Sequence, residues 1–286
     1  MRCVHRRSAR HLPSATANDF TRDEPDQKRD QRRPRHEAPR SPHGDVVVLK
    51  MARASAKNAL NKTLIAELRD VLAKVSSDVT ARALLLTGEG DVFCAGADLR
   101  ERREHPGKDA EFRAPLLQFW HELAQFAKPL VIAVNGHAAG GGFELSLLGD
   151  AVVAADSAQF WLPEVQWGGI PGGWGTQLLP RLVGPVRARW IILNGHRISA
   201  SEMLSMGLIT HVVPAAEVLD TARAIAKELA TRPPMAVAMA KEAIRQALNV
   251  PLQSGIEIEE KLLQQAVTSP ERREMLERFA QGHRPK

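Results

Sequence analysis

Asn135-Gly136-His137-Ala138-Ala139-Gly140-Gly141-Gly142-Phe143-Glu144-Leu145 is the stretch on which the reading of this chain turns. The apolar run before it predicts a strand over 130–135, and the spacing after it predicts a helix over 141–148. Glycines between a strand and a helix let another group approach the backbone closely. The helix that opens there has amides without intrahelical partners and the positive end of its dipole, which suits a developing oxyanion. Glu144 stands in the helix's first turn and is the only Asp, Glu, Lys or Arg between Gly136 and Gly149. A lone carboxylate in an apolar segment is costly to bury unpaired, so it either faces solvent or occupies a cleft that raises its pKa. No Gly-Lys-Ser/Thr follows, so this is not a phosphate-binding P-loop. A strand–helix packing turn with no ligand would use the same glycines.

A second carboxylate is isolated in the same way: Glu164 is the only Asp, Glu, Lys or Arg between Ser157 and Pro180. A further turn, Gly88 to Leu99, places the small residues Ala95-Gly96-Ala97 after a strand expected at 83–87. Around these landmarks strands at 46–51, 130–135 and 151–155 alternate with helices at 59–75, 115–126 and 141–148. That order implies an α/β fold with crossover units. Residues 100–112 read as a polar, charged excursion. After Pro180 the chain turns helical, with helices expected at 186–193, 199–206, 219–231, 233–248 and 252–267 and a strand or exit turn at 207–213. Three regions result: an extension 1–44, a core 45–205 bearing the site, and a helical region 206–286 with apolar faces to pack on the core or on a neighbouring subunit.

The charge balance locates itself. Residues 1–44 carry 11 Lys/Arg against 6 Asp/Glu, whereas the remaining 242 carry 28 against 27. Five of the six net positive charges therefore belong to the extension, and a basic nucleic-acid groove in the body has no support. The extension has no apolar period and is expected to be disordered or to reflect a misassigned start. It lacks the apolar stretch of a secretory signal, and its five Asp/Glu between Asp19 and Asp30 argue against a transit peptide. Apolar runs are too short to span a bilayer. Two cysteines, Cys3 and Cys94, give neither a disulfide framework nor metal-ligand spacing, as expected of a cytoplasmic protein.

Taken together the segments carry a resemblance. Phe93-Cys94-Ala95-Gly96-Ala97-Asp98-Leu99, the stretch from Asn135 to Leu145, and Phe160-Trp161-Leu162-Pro163-Glu164 through Ile170-Pro171-Gly172-Gly173-Trp174-Gly175-Thr176-Gln177 resemble the three signature segments of the enoyl-CoA hydratase/isomerase (crotonase) family, in the family's order. Lys57-Asn58-Ala59-Leu60 and Met206 through Pro214 match further landmarks, and the similarity runs from about Asp45 to the C-terminus. The resemblance implies a crotonase-type ββα superhelix with a helical C-terminal region, assembled as a homotrimer or homohexamer through residues 206–286. It implies the amides of Ala97 and Gly141 as an oxyanion hole for a thioester carbonyl, each donor worth roughly 3–4 kcal/mol to the transition state. It also implies Glu144 as the group that activates water and Glu164 as the one that delivers the C2 proton. Lys57, Ala59, Ala95, Asp98, Leu99, Gly172, Trp120 and Trp161 are expected at the substrate. No metal and no redox cofactor are implied, coenzyme A being part of the acyl-CoA substrate.

Members that only shift a double bond usually keep the Glu164 equivalent alone, so the presence of both glutamates favours an enoyl-CoA hydratase. Another crotonase reaction (isomerisation, or hydratase–lyase cleavage of an aromatic acyl-CoA) and a non-enzymatic RNA-associated paralogue are the alternatives. Trp161 and Trp174 stand where relatives more often have Gly or Ala and either narrow the acyl pocket or pack in the core. The segment Phe112 to Phe119, with Arg113 and Trp120, aligns with the variable wall of that pocket. Asp98 either contacts the nucleotide or caps a helix, and His137 is read as structural. Two departures stand out: His36 to His43 replaces the usual first strand and hairpin poorly, and Met51-Ala52-Arg53-Ala54 lacks the usual Asn-Arg-Pro.

Overall fold

A computed structural model of the chain describes residues 35–37, 45–104 and 107–282. The extension expected to be disordered lies outside the described residues, apart from 35–37. In chain order the elements are β1 (Arg35–Glu37), β2 (Asp45–Met51), α1 (Lys62–Ser77), β3 (Ala81–Gly88), β4 (Val92–Cys94), α2 (Leu99–Glu104), α3 (Asp109–Ala124), β5 (Leu130–Val134), β6 (His137–Ala139), α4 (Gly141–Ser146) and β7 (Ala151–Ala155). There follow β8 (Gln159–Trp161), α5 (Gly175–Asn194), β9 (Ile198–Ser199), α6 (Ala200–Ser205), β10 (His211–Val213), α7 (Val218–Ala230), α8 (Pro234–Ala247), α9 (Leu252–Val267) and α10 (Pro270–Ala280).

The strands form two sheets, ordered β1-β2-β3-β5-β7-β10 and β4-β6-β8-β9. All neighbours are parallel except β1 on β2 and β8 on β9. Each turn of the chain lays one strand in the large sheet, one in the small sheet and then a helix: β3–β4–α2/α3, β5–β6–α4, β7–β8–α5. This is the ββα superhelix the resemblance implied. Every residue of β5 and β7 is buried, as strands covered on both faces of a parallel sheet must be. Helix α1 buries Leu64, Ile65, Leu68, Leu72 and Val75, a stripe at i, i+3/i+4 spacing. Its Asn61 cap accepts the Leu64 amide at 2.9 Å. Arg69 on α1 then forks onto Glu122 of α3 at 2.9 and 2.7 Å. Helix α7 packs on β2, β3, β5 and β7.

Several local expectations are corrected. Within the stretch read as an excursion, residues 100–104 lie in α2 and residues 109–112 in the start of α3. Pro115 lies inside α3 instead of opening it, because the helix begins at Asp109 and absorbs the missing N–H of proline in its second turn. Helical structure likewise starts at Gly175, ahead of Pro180, and the run to Asn194 is broken at Gly184, whose φ of 78° is non-helical. The segments read as turns at 88–99 and 135–142 contain the short strands β4 and β6 of the small sheet. Arg35–Glu37, which overlaps the start of the segment expected to make a poor strand, pairs antiparallel with Val48–Lys50.

Candidate active site

The small sheet and the loops leaving it build the site. After β4 the chain runs beside Lys57–Leu60: the Ala95 amide donates to Lys57 O at 3.0 Å, Leu60 N to Gly96 O at 2.7 Å, and Asp98 N to Leu60 O at 3.1 Å. These bonds skip the amide of Ala97, which has no acceptor among the described residues. Buried Asn58 braces the loop from behind, donating to Glu89 O at 2.9 Å and Val92 O at 2.7 Å and accepting from Arg53 N at 3.0 Å. Gly141 is the first residue of α4, and its amide likewise has no acceptor among the described residues. Gly96 brings the two together. Its φ is +85°, and a Cβ there would lie 2.8 Å from Ala139 O and 3.0 Å from the Gly141 nitrogen. Only glycine fits that conformation and that approach.

Glu144 is 2 % exposed, and its carboxylate accepts three short contacts. The Gly173 amide reaches both oxygens at 2.8 Å and the Gly175 amide reaches Oε1 at 2.8 Å. A Cβ on Gly173 would meet Glu144 Oε2 at 2.7 Å and the Trp120 ring at 2.8 Å, and one on Gly175 would meet Oε1 at 2.9 Å. The Gly-Gly-Trp-Gly run at 172–175 is thus shaped around this carboxylate. Trp120 is fully buried and its indole N–H donates to Gly173 O at 2.7 Å. Gly173 is therefore held at both polar atoms of its backbone. Burial pushes the Glu144 pKa up, while the amides of Gly175 and Gly173 and then the charge of Arg113 pull it back.

Glu164 opens a single 3-10 turn, Glu164–Trp167, directly after β8. Its Oε2 is buried with no hydrogen-bond partner among the described residues. Its other oxygen would sit 2.7 Å from a Cβ on Gly140, whose φ is +50°. Burial pushes its pKa up to about 7; its own backbone amide pulls against that, and the like charge of Glu144 adds a smaller upward push. Both carboxylates, with Ala97 and Gly141, open on one cavity of about 360 Å³ that Arg102, Arg113, Leu116, Trp120 and Ile170 also line.

Comparison with known proteins bears on this constellation. A profile of the family described as enoyl-CoA hydratase/isomerase matches residues 42–286. The chain belongs to that family. It is 38 % identical over 242 residues to an Escherichia coli protein named 2,3-dehydroadipyl-CoA hydratase, covering 84 % of this chain and 94 % of the relative. It is 34 % identical to a probable mitochondrial enoyl-CoA hydratase of Dictyostelium discoideum, covering 85 % and 87 %. A crystal structure of an enoyl-CoA hydratase from Bacillus anthracis superposes with a TM-score of 0.84 at 35 % identity, over 89 % of this chain and 98 % of that one. The fold is the crotonase fold and the chain is a crotonase-family enzyme.

Within this family member the expected substrate residues divide. Trp120 and Gly172 line the cavity, whereas Lys57 and Ala95 meet through a backbone bond beside the Ala97 loop and Ala59 O accepts from the Arg53 side chain. Asp98 caps α2, accepting the amides of Arg100 at 3.1 Å and Glu101 at 3.3 Å, and pairs with Arg53 at 3.2 Å. Leu99 is exposed on α2, outside the cavity lining. Trp161 is also outside it: its ring stacks under Arg197 at 4.6 Å and meets His137 edge-on at 6.1 Å, while its carbonyl accepts the Gly140 amide at 2.9 Å. Trp174 turns away to meet His121 at 4.8 Å. The roles of Gly173 and Gly175 were not read from sequence, since a backbone donor leaves no mark beyond the glycine itself. Arg102 was hidden inside the charged stretch taken for an excursion.

No helix among the described residues is long and apolar enough to cross a membrane.

Proposed function

We propose that the protein is an enoyl-CoA hydratase that adds water reversibly across the 2,3 double bond of a 2-enoyl-CoA. The observation that carries this reading is the convergence of buried Glu144, half-buried Glu164 with its buried Oε2, and two unused backbone amides on one cavity. In this reading the thioester oxygen sits between the amides of Ala97 and Gly141, and C2=C3 lies between the glutamates. Glu144, held by backbone N–H groups that suit an anion, takes a proton from water as the oxygen attacks C3. The electron pair moves to the thioester oxygen as an enolate, which the two amides stabilise. Protonated Glu164 then delivers its proton to C2, and its unpartnered Oε2 is the oxygen suited to carry it. Passage of the proton on Glu144 back to Glu164 through solvent resets the pair. Hydration is redox-neutral, so the reading calls on no metal and no redox cofactor, with coenzyme A present only as part of the substrate.

The test follows the loss of absorbance of crotonyl-CoA and of longer and aromatic enoyl-CoAs, in the parent and in Glu144→Ala and Glu164→Ala. Unchanged turnover in both variants sinks the mechanism. Double-bond isomerisation that survives Glu144→Ala, with no hydration by the parent, makes the protein an isomerase. We further propose assembly as a trimer or dimer of trimers through the C-terminal helices, whose exposed Leu252, Leu263 and Phe279 ask for a partner surface. Sedimentation of the parent against Leu263→Glu checks it.

A further inference from the structure

Two guanidinium groups border the catalytic cavity, and the hydration mechanism uses neither directly. Arg113 on α3 and Arg102 on α2 line it together with Leu116, Trp120 and Ile170. Lys62, Lys108 and Arg53, by contrast, each have a carboxylate partner. Lys62 and Lys108 both lie against Glu111, at 3.6 and 3.8 Å, and Arg53 pairs with Asp98. Among the described residues neither Arg102 nor Arg113 has a carboxylate within ion-pair distance. Arg113 stands close to Gly172, its guanidinium 4.0 Å from where a Cβ on that glycine would be, and its charge reaches Glu144. That pull on Glu144 works through charge and needs no hydrogen bond, since the carboxylate accepts from Gly173 and Gly175, so the guanidinium donors of both arginines are left without a task.

The direction of the chain in the site supplies one. With the thioester oxygen between Ala97 and Gly141 and C2=C3 at the glutamates, carbon four and beyond must continue past Glu144 along the Gly172–Gly173 wall. That wall is where Arg113 stands. A planar fork of donors on an apolar wall is the side chain suited to a carboxylate. We propose that the preferred substrate is a 2-enoyl-CoA whose acyl chain ends in a carboxylate, gripped by Arg113 with Arg102 in support. This rests on the hydratase reading above and adds the chemistry of the distal acyl end.

The phosphates of coenzyme A are the other anions these arginines could meet, and the experiment separates the two. kcat/KM is measured for 2-hexenoyl-CoA and for the mono-CoA thioester of 2-hexenedioic acid, in the parent, Arg113→Met, Arg113→Lys and Arg102→Met. The parent is expected to prefer the carboxylated substrate, and Arg113→Met to lower the ratio of the two values about 10–100-fold, the range for a hydrogen bond to a charged group. Arg113→Lys should restore part of that ratio, since it keeps the charge and loses the fork, and Arg102→Met should lower it less. Equal kcat/KM for the two substrates in the parent overturns the proposal. So does an equal loss on both in Arg113→Met, which assigns the arginine to the coenzyme phosphates or to Glu144 alone. If neither thioester is hydrated, the reaction reading fails separately. Calorimetric binding of hexanoyl-CoA and its carboxylated counterpart then decides: tighter binding of the carboxylated one, lost in Arg113→Met, supports the proposal, and equal binding overturns it.

Discussion

The two carboxylates share a cavity but not a setting. Glu144 rises from the first turn of α4 into the amides of Gly173 and Gly175, which come from the start of another helix 29 and 31 residues further on. Glu164 stands on a single turn after β8, with one buried oxygen bonded to nothing. The first environment offsets part of the penalty that burial places on an anion, because its N–H donors and the charge of Arg113 favour the ionised form. The second stabilises the neutral acid, because burial and the neighbouring charge penalise ionisation. Environment thus separates a base from an acid in a pair of chemically identical side chains.

The comparison breaks most visibly through the carboxylates themselves. Glu164→Gln removes the proton donor and Glu144→Gln the base, and each is expected to lower kcat by roughly 10²–10⁴. KM should move far less, since neither group contributes mainly to ground-state binding. Stopped-flow hydration with saturating enoyl-CoA measures this, and a change confined to KM would contradict the assignment. Next in size is Gly96→Ala. The added methyl meets Ala139 O and the Gly141 nitrogen in a left-handed conformation, pushing apart the two amides that face the enolate. A loss of about 10²–10³ in kcat is expected, the scale for one oxyanion donor. The carboxylate pair is untouched, so the pH profile should keep its shape while its height falls.

A smaller effect sharpens the contrast. With a Glu164 pKa of about 7, the hydration rate should fall as pH rises through neutrality and the acid loses its proton. Part of that elevation comes from the charge of Glu144. Glu144→Gln removes the like charge, so the alkaline limb of its residual activity should move to lower pH. A limb that stays in place would show that burial alone sets the Glu164 pKa.

How much of this was legible in the sequence depended on length scale. Glu144 and Glu164 announced themselves because each is the lone charge in an apolar, glycine-flanked segment. The Ala97 and Gly141 loops followed from small residues after strands. The large sheet was readable since β3, β5 and β7 are continuous apolar runs. The small sheet was not: β4, β6 and β8 have three residues each, too few to show a period of two. Helix α2 has no buried residue and so no apolar stripe to read, and Pro115 suggested a helix start where the chain was already helical. The left-handed φ of 74° at Trp174, which aims the Gly173–Gly175 amides, has no sequence signal in a bulky residue. The clamp on Glu144 stayed hidden for that reason.

The smallest expected effect is thermodynamic and sets the two glutamates in opposition. Glu144→Gln turns an amide nitrogen or a single carbonyl toward donors that had a full carboxylate. One buried N–H then loses its acceptor at a cost of about 1–3 kcal/mol, and the melting temperature should fall at every pH. Glu164→Gln loses no hydrogen bond at Oε2, and its effect depends on pH. The folded-state pKa lies near 7 against an ordinary 4.5, so between those values the folded chain holds a proton that the unfolded chain has released. Parent stability from this group is present below about 4.5 and is lost as pH rises towards 7. Glutamine cannot ionise and escapes that loss. The melting temperature of Glu164→Gln relative to the parent should therefore be higher at pH 8 than at pH 4. Equal differences at the two pH values would mean that Glu164 ionises as freely in the fold as outside it, and the assignment of the acid would fall with that result.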